Sequence, residues 1–400
     1  MRPGIAAITV SALAATLAGV TGSGTAVATS CQPTPDVLSH KPIQTLKLPR
    51  KATAKVWDTG TGGSLMGQVR IAEVTIPKSS LVPRIMAGPS LGSTQRLYQM
   101  AGRNDVAMIN GSVWDDFDGG VPNGSQILDG AVRKGTDTAN RGLAVYAKSR
   151  KLAVAQVTVG GTATVTRGGA RIASVPIGAV NWQDLSRTGA TMFTSAWAQY
   201  PHDVGEVTVA VTGGRVSDIL YRYAGEDAPA RGTTYLTARW GSSTDGLLQQ
   251  LRVGDTVNIA VAPGGKLQYQ KKYTPVGHPT SLTGLSAPLV ENGQVVYGCS
   301  RQSEIRRPRS IIAWKKNGDV MLIAISGRAF IDDLRVGGAT THQAADYARR
   351  LGAVTAVAFD GGNSTTLLVR KKPGGPLLRL DRSNSEYQRP ITDALAFDVP

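Results

Sequence analysis

The sequence predicts an α+β fold that is rich in β-strands, with mixed sheets and a few helices. Three observations carry this. Turn dipeptides recur between apolar segments, at Gly160-Gly161, Gly213-Gly214, Gly264-Gly265, Asn292-Gly293, Asn317-Gly318 and Gly374-Gly375, and such punctuation marks hairpins. Helical periodicity is confined to two short stretches. The run from Val354 to Phe359 is uncharged and rich in Val and Ala. It is too short for a helix and reads as a strand buried on both faces.

Taken in chain order, residues 1–28 have the parts of a secretory signal peptide: a charge at Arg2, an apolar stretch from Ile5 to Val20, and Ala26-Val27-Ala28, after which cleavage is expected. The apolar stretch is too short and weak for a membrane span and no other candidate follows. A secreted, extracellular protein without stable membrane insertion is expected. Residues 29–55 contain Pro33, Pro35, Pro42 and Pro49 and little periodicity, so they read as an extended leader or linker. One folded domain is expected over 56–400, with a β-rich intervening region at about 151–300. Export permits a disulfide, and for Cys31 and Cys299 a bridge and two unrelated thiols are both open.

Within the domain, a helix is expected from Ser93-Thr94 through Leu97 and Met100 to Gly102, followed by the strand Val106 to Ile109, which ends in Asn110-Gly111-Ser112. A hairpin follows from Ser310 to Trp314, a turn at Lys315 to Asp319, and Val320 to Ile325. Thr340 and Gln343 have capping-box spacing, and Ala344, Tyr347, Ala348 and Leu351 mark one apolar face before Gly352 ends the helix. That helix feeds the strand before Asp360.

Composition narrows the partners. The formal net charge is +16, spread along the chain, and aromatic residues make up 6%. Nucleic-acid binding calls for a dense basic stripe interleaved with aromatics, so no nucleic-acid partner is expected. A diffuse positive field suits an anionic glycopolymer or a phosphorylated carbohydrate. No pattern in the chain speaks to oligomeric state.

Several segments carry groups suited to chemistry. Asp360 is delivered by a strand into Gly361-Gly362-Asn363-Ser364-Thr365, either as a reactive acid or as an acceptor of backbone N–H groups in a tight turn. Asn110 beside Gly111 can hold a phosphate or sugar oxygen, and Trp114 can stack on a pyranose face. Asp116-Phe117-Asp118-Gly119 hints at a calcium loop, but the ligand spacing is incomplete. No His or Cys cluster has zinc spacing, so no metal ligand is assigned and no cofactor beyond calcium is considered. Arg306-Arg307-Pro308-Arg309 enters the hairpin, with Ser326-Gly327-Arg328 at its far end, and arginine forks match phosphate oxygens. Gly88-Pro89-Ser90-Leu91-Gly92 formally matches a nucleophile elbow, without a strong core strand before it or a well-placed histidine after it.

Together these segments resemble the phosphodiester glycosidase family. The resemblance rests on Ala107-Met108-Ile109-Asn110-Gly111, Pro308-Arg309-Ser310, Ile325-Ser326-Gly327-Arg328, Gly338-Ala339-Thr340 with Leu351-Gly352-Ala353, Asp360-Gly361-Gly362 with Ser364-Thr365, and Arg389-Pro390 before Ala394-Leu395. The chain departs from the family's usual pattern at Arg307, Ser326, Gln343 and Asn363. The resemblance implies a mixed α and β fold with a single active-site cleft. It implies Asp360, Arg309, Arg328 and Asn110 as catalytic residues, with Gly361, Gly362, Ser364, Thr365, Trp114, Thr340 and Arg389 around the substrate. The implied reaction is hydrolysis of the bond between a sugar's anomeric carbon and a phosphodiester oxygen. The competing reading is a non-catalytic secreted protein that binds anionic cell-wall glycopolymers through the same cleft.

Overall fold

A computed structural model describes residues 31–59, 68–114, 120–197, 207–222, 229–269, 272–275, 277, 279–299, 305–327, 337–383 and 388–400. Among them the strands form sheets of eight, twelve and five strands, with helices at Leu97–Met100, Ser243–Leu248 and Thr341–Arg350. The α+β, β-rich reading holds. Strands Ala170–Val180 and Ala190–Thr194 run parallel, which makes the twelve-stranded sheet mixed.

The eight-stranded sheet is built around the expected hairpin, Arg309–Lys315 with Val320–Ser326, flanked by Arg70–Ile76 on one side and Ala353–Ala358 on the other. Alternation along the hairpin sends successive side chains to opposite faces. Ile312, Leu322 and Ala324 join Val106, Ile109, Leu367, Leu395 and Phe397 of the five-stranded sheet in one core, and Ile311, Ala313, Met321 and Ile323 face the opposite way, onto Ala344, Ala345, Tyr347 and Ala348 of the Thr341–Arg350 helix. Helix, sheet and sheet therefore stack as layers. These residues are fully enclosed, and truncating one such as Leu322 to Ala costs about 2–5 kcal/mol.

The hairpin register corrects one expectation. Arg309 pairs with Ile325 and Trp314 with Val320, so the chain leaves Ser326 at the same open end where Arg309 enters. Arg328 was expected at the far end and itself lies outside the described residues.

Three other expectations shift. Residues 29–55 were expected as a linker, yet Val37 is fully buried and Gln44–Lys47 pairs with Thr53–Asp58 at the edge of the eight-stranded sheet. The prolines hold an extended segment against the domain, and packing begins before Val56. The helix from Ser93 to Gly102 is a single turn, Leu97–Met100, because Gln95 is taken into a two-way backbone pairing with Ile391. The β-rich intervening region begins earlier than 151: the twelve-stranded sheet draws on strands from Gln126–Leu128 to Ser281–Gly284. Extra pairings between Lys151–Arg167 and Ala170–Val180, and at Arg215 with Thr256, curl it back on itself.

Cys31 and Cys299 form a disulfide with Cα atoms 5.4 Å apart. Beside it the N-terminal segment lies along the Thr341–Arg350 helix. Gln343 Nε2 donates to Pro33 O (2.7 Å) and the Tyr347 hydroxyl to Pro35 O (2.9 Å). Gln343 also completes the expected capping box with Thr340; a glutamate there could cap but could not donate to Pro33. Among the described residues no helix is long and apolar enough to cross a membrane.

Candidate active site

Strand Ala353–Ala358 ends two residues before Asp360. The turn that follows is pinned to the entrance of the neighbouring strand. Phe359 N donates to Ser310 O (2.8 Å) and Gly362 N to Pro308 O (2.9 Å). A Cβ at Gly361 would sit 2.8 Å from Pro308 O, so only glycine allows the turn to lie this close to Arg309. The position of the glycine thus sets the distance between the acid and the arginine-bearing strand.

From the other sheet, Asn110 at the end of strand Asp105–Asn110 fastens the turn. Its Nδ2 donates to Asp360 O (2.8 Å), while its Oδ1 accepts from Ser310 Oγ (2.6 Å) and Thr366 N (3.1 Å). The side chain is 1% exposed, and its amide is committed to three segments of the protein. Asn110 therefore holds the turn and is not among the residues that line the cavity Asp360 borders.

Asp360, Gly361, Gly362, Arg309 and Arg389 share the wall of one cavity of about 330 Å³, with Arg307, Tyr297, Leu289, Thr341 and Asn363. Three arginines thus line the same cavity as one carboxylate, and the charge of Arg389 acts on it. Arg309 donates from Nε to Ala339 O (3.1 Å) and from Nη2 to Ile305 O (3.0 Å), which fixes the plane of its guanidinium. Burial, and then the neighbouring charge of Arg307, bring its pKa down to about 10 against a small opposing pull from Tyr297; the group stays cationic at neutral pH. Thr341 and Ala344, in the first turn of the ten-residue helix, also line the cavity and bring a helix N-terminus, with its partial positive charge, to the same space.

Asp360 is pushed up to about 6, chiefly by burial; the Ser364 hydroxyl, the Arg389 charge and the Gly361 N–H draw it down, and the Asp393 carboxylate adds to the rise. Ser364 Oγ is buried and makes no hydrogen bond of regular geometry, yet it lies close enough to favour the ionised acid. A carboxyl poised near neutrality inside a cationic cavity is the arrangement a base or nucleophile needs.

The remaining expected residues stand behind the wall. Ser364 and Thr365 are wholly buried under the turn, and Thr340 is the helix N-cap. Trp114 is 9% exposed and carries the Arg389 guanidinium over its ring at 4.4 Å. Arg328 and the Asp116–Gly119 segment lie outside the described residues. Ser90, of the elbow-like segment, pairs its hydroxyl with Ser93 (2.6 Å) in a turn. Among the described residues, the metal-ligand types that come together are Cys31, Cys299 and His342, and the two sulfurs are bonded to each other. Sequence reasoning did not assign Tyr297, Thr341 or Asp393 to the site, and Arg307 entered it only as part of a basic cluster.

Residues 206–398 match the family model described as phosphodiester glycosidase. No curated protein matches the chain. Among solved structures, a hypothetical protein from Synechocystis aligns with a TM-score of 0.65 and 22% identity over 87% of this chain, which spans 62% of that protein's length. A Burkholderia pseudomallei K96243 protein aligns at 0.60 and 17% identity, over 84% of this chain and 74% of that one. The zebrafish N-acetylglucosamine-1-phosphodiester alpha-N-acetylglucosaminidase catalytic domain aligns at 0.40 and 11% identity, over 89% and 87%. At these identities the first two likenesses are of fold alone. The resemblance to the phosphodiester glycosidase family is thereby shown over residues 206–398, the stretch that carries Arg309, Asp360 and Arg389.

Proposed function

We propose that the protein is an exported hydrolase that cleaves the bond between a sugar's anomeric carbon and a phosphodiester oxygen. The observation that carries this is the meeting of Asp360 with Arg307, Arg309 and Arg389 in one cavity. The substrate class follows from charge: guanidinium forks suit phosphate oxygens, and one carboxylate beside them suits an anomeric centre.

In this reading Arg309 and Arg307 hold the phosphate, and the family resemblance gives Arg328 the same duty. The Asp360 carboxylate takes a proton from water while the water oxygen bonds to the anomeric carbon, or it attacks that carbon itself and is released by water in a second step. Either way the carbon–oxygen bond to phosphate breaks, and its electron pair leaves with the phosphate monoester. That leaving group is a weak base, so cations that receive its growing charge contribute more than a proton donor. The charge of Arg389 favours the ionised form of Asp360 against its burial.

The test is release of free sugar from a sugar-1-phosphodiester. Asp360→Asn is expected to abolish release while phosphosugar binding stays measurable. Tight binding of an anionic glycopolymer without release across a panel of such diesters would favour the non-catalytic binder.

A further inference from the structure

A second carboxylate lies directly behind the first. Asp393 opens strand Asp393–Asp398 and is 1% exposed. Its Oδ1 accepts from Ser112 N (2.6 Å), and its Oδ2 accepts from Ser112 Oγ, Thr283 Oγ1 and Gln126 Nε2, each at 2.9 Å. Four donors and no acceptor face it, the environment of an ionised group. Its backbone oxygen accepts from Gly111 N (2.9 Å), and Gly111 O in turn accepts from Asp360 N (2.9 Å). A Cβ on Gly111 would lie 2.2 Å from Asp393 Oδ1. The two acids are thus separated by one glycine, and a side chain at that position would break the link.

We infer that Asp393 is a positioning residue, which holds the Asp360 turn through Gly111 and sets the proton affinity of the Asp360 carboxyl. Its catalytic meaning rests on the proposed reading of Asp360; its effect on titration does not. The charged groups around the pair are Arg133, which acts on Asp393, and Arg389, Arg309 and Arg307 on the cavity side of Asp360. Burial raises Asp393 and the four donors hold it down. Burial outweighs the donors, so Asp393 sits above the ordinary carboxylate range; in its ionised form, a negative charge so near in a medium of low dielectric disfavours ionisation of Asp360.

Asp393→Asn removes the charge and keeps the shape. Gln126 Oε1 is buried without a partner, so rotating the Gln126 amide lets it accept from the new side-chain amide. The experiment follows the Asp360 carboxyl by carbon-13 NMR across pH in the wild type and in Asp393→Asn, with the resonance assigned by its loss in Asp360→Asn. The midpoint is expected to fall by about half a unit to one unit in Asp393→Asn, and the acid limb of kcat/KM to move by the same amount. A midpoint that stays put, with activity lowered equally at every pH, would reduce Asp393 to a structural residue and overturn the inference. A midpoint that moves in a protein without turnover would support the inference and sink the proposed activity instead. If Asp393→Asn does not fold, Asp393→Ser, which also removes the charge, decides: a fall of the midpoint supports the coupling, and no shift overturns it.

Discussion

The Arg389 guanidinium lies 4.4 Å over the centre of the Trp114 ring, so the aromatic face expected to carry a sugar carries a cation. The ring faces a cavity wall that already holds Arg389, and its indole Nε1 is buried without a hydrogen-bond partner. A cation–π contact of this kind contributes about 0.5–2 kcal/mol. Trp114→Ala should leave Arg389 charged but poorly aimed. We expect KM for a sugar-1-phosphodiester to rise about 3- to 30-fold with a smaller loss in kcat, and Arg389→Ala to cost more. Equal losses in KM for Trp114→Phe and Trp114→Ala would show that the stacked ring does not aim Arg389.

Asp360 links the site to stability. Its folded pKa is raised to about 6, so the folded state favours the protonated form. The contribution is fully present below the unfolded value and is lost as pH rises through about 6. Ionisation at neutral pH therefore costs the fold stability, on the order of 1–3 kcal/mol. Asp360→Asn should melt higher than the wild type at pH 7.5 and at nearly the same temperature at pH 4. With Asp360 as base or nucleophile, kcat/KM should fall as pH drops below about 6. A gain in activity toward acid pH would assign it the opposite role, a proton donor.

What the sequence disclosed follows the range of the interactions. The hairpin around Asn317-Gly318 and the Thr340–Gln343 capping box are set by residues a few positions apart, and both stand where the pattern put them. Asp360 with Gly361 and Gly362, and Arg309 in its basic cluster, stand out by local pattern, Arg389 through the family resemblance, and all five line one cavity. The rest depends on contacts across the chain. Asn110 reads as a ligand-binding amide until Asp360 O, Ser310 and Thr366 are found bonded to it. Asp393 looks like one more strand residue, because Ser112, Gln126 and Thr283, which hold it, come from three distant segments. Tyr297 gained no notice, since nothing local marks it. The 29–55 segment shows the converse error: proline content fixes an extended backbone but does not say whether that backbone is free or packed.

Removing the disulfide should loosen both the N-terminal segment and one cavity wall. The bridge spans 268 positions, and closing a long loop of this kind contributes about 2–5 kcal/mol. Tyr297, two residues before Cys299, lines the cavity, and its carbonyl meets His342 Nδ1 at 3.2 Å. The Cys31→Ser, Cys299→Ser double variant should lose stability of that order by urea unfolding and should bind phosphosugar more weakly. Proteolysis should cut it first within 31–43, where Pro33 and Pro35 now hold the helix through Gln343 and Tyr347. An unchanged cleavage pattern would mean that those hydrogen bonds hold the segment without the bridge.

Asp398, beside Asp105 and away from the cavity, is a second pH-sensitive carboxyl. Asp105 is enclosed and takes a forked bond from Arg84 and one from Gly102 N. Asp398 shares Arg84 through Nε at 3.0 Å. Burial first, and then Asp105's hydrogen bond and charge, push Asp398 up to about 7, against the pull of Arg84. A raised carboxyl stabilises the fold at low pH, and that contribution is lost as pH rises through about 7. The wild type should therefore lose melting temperature as pH rises from about 4 to about 7, and Asp398→Asn should flatten that slope up to about pH 7, while Asp360→Asn acts only up to about pH 6. Arg84→Met should do the reverse of Asp398→Asn and steepen the loss, because two acids would then face each other without a cation. Melting curves of the three variants at half-unit intervals from pH 4 to 9 separate the two carboxyls, and overlapping profiles for Asp398→Asn and the wild type would show that Asp105 and Arg84 leave Asp398 near its ordinary range.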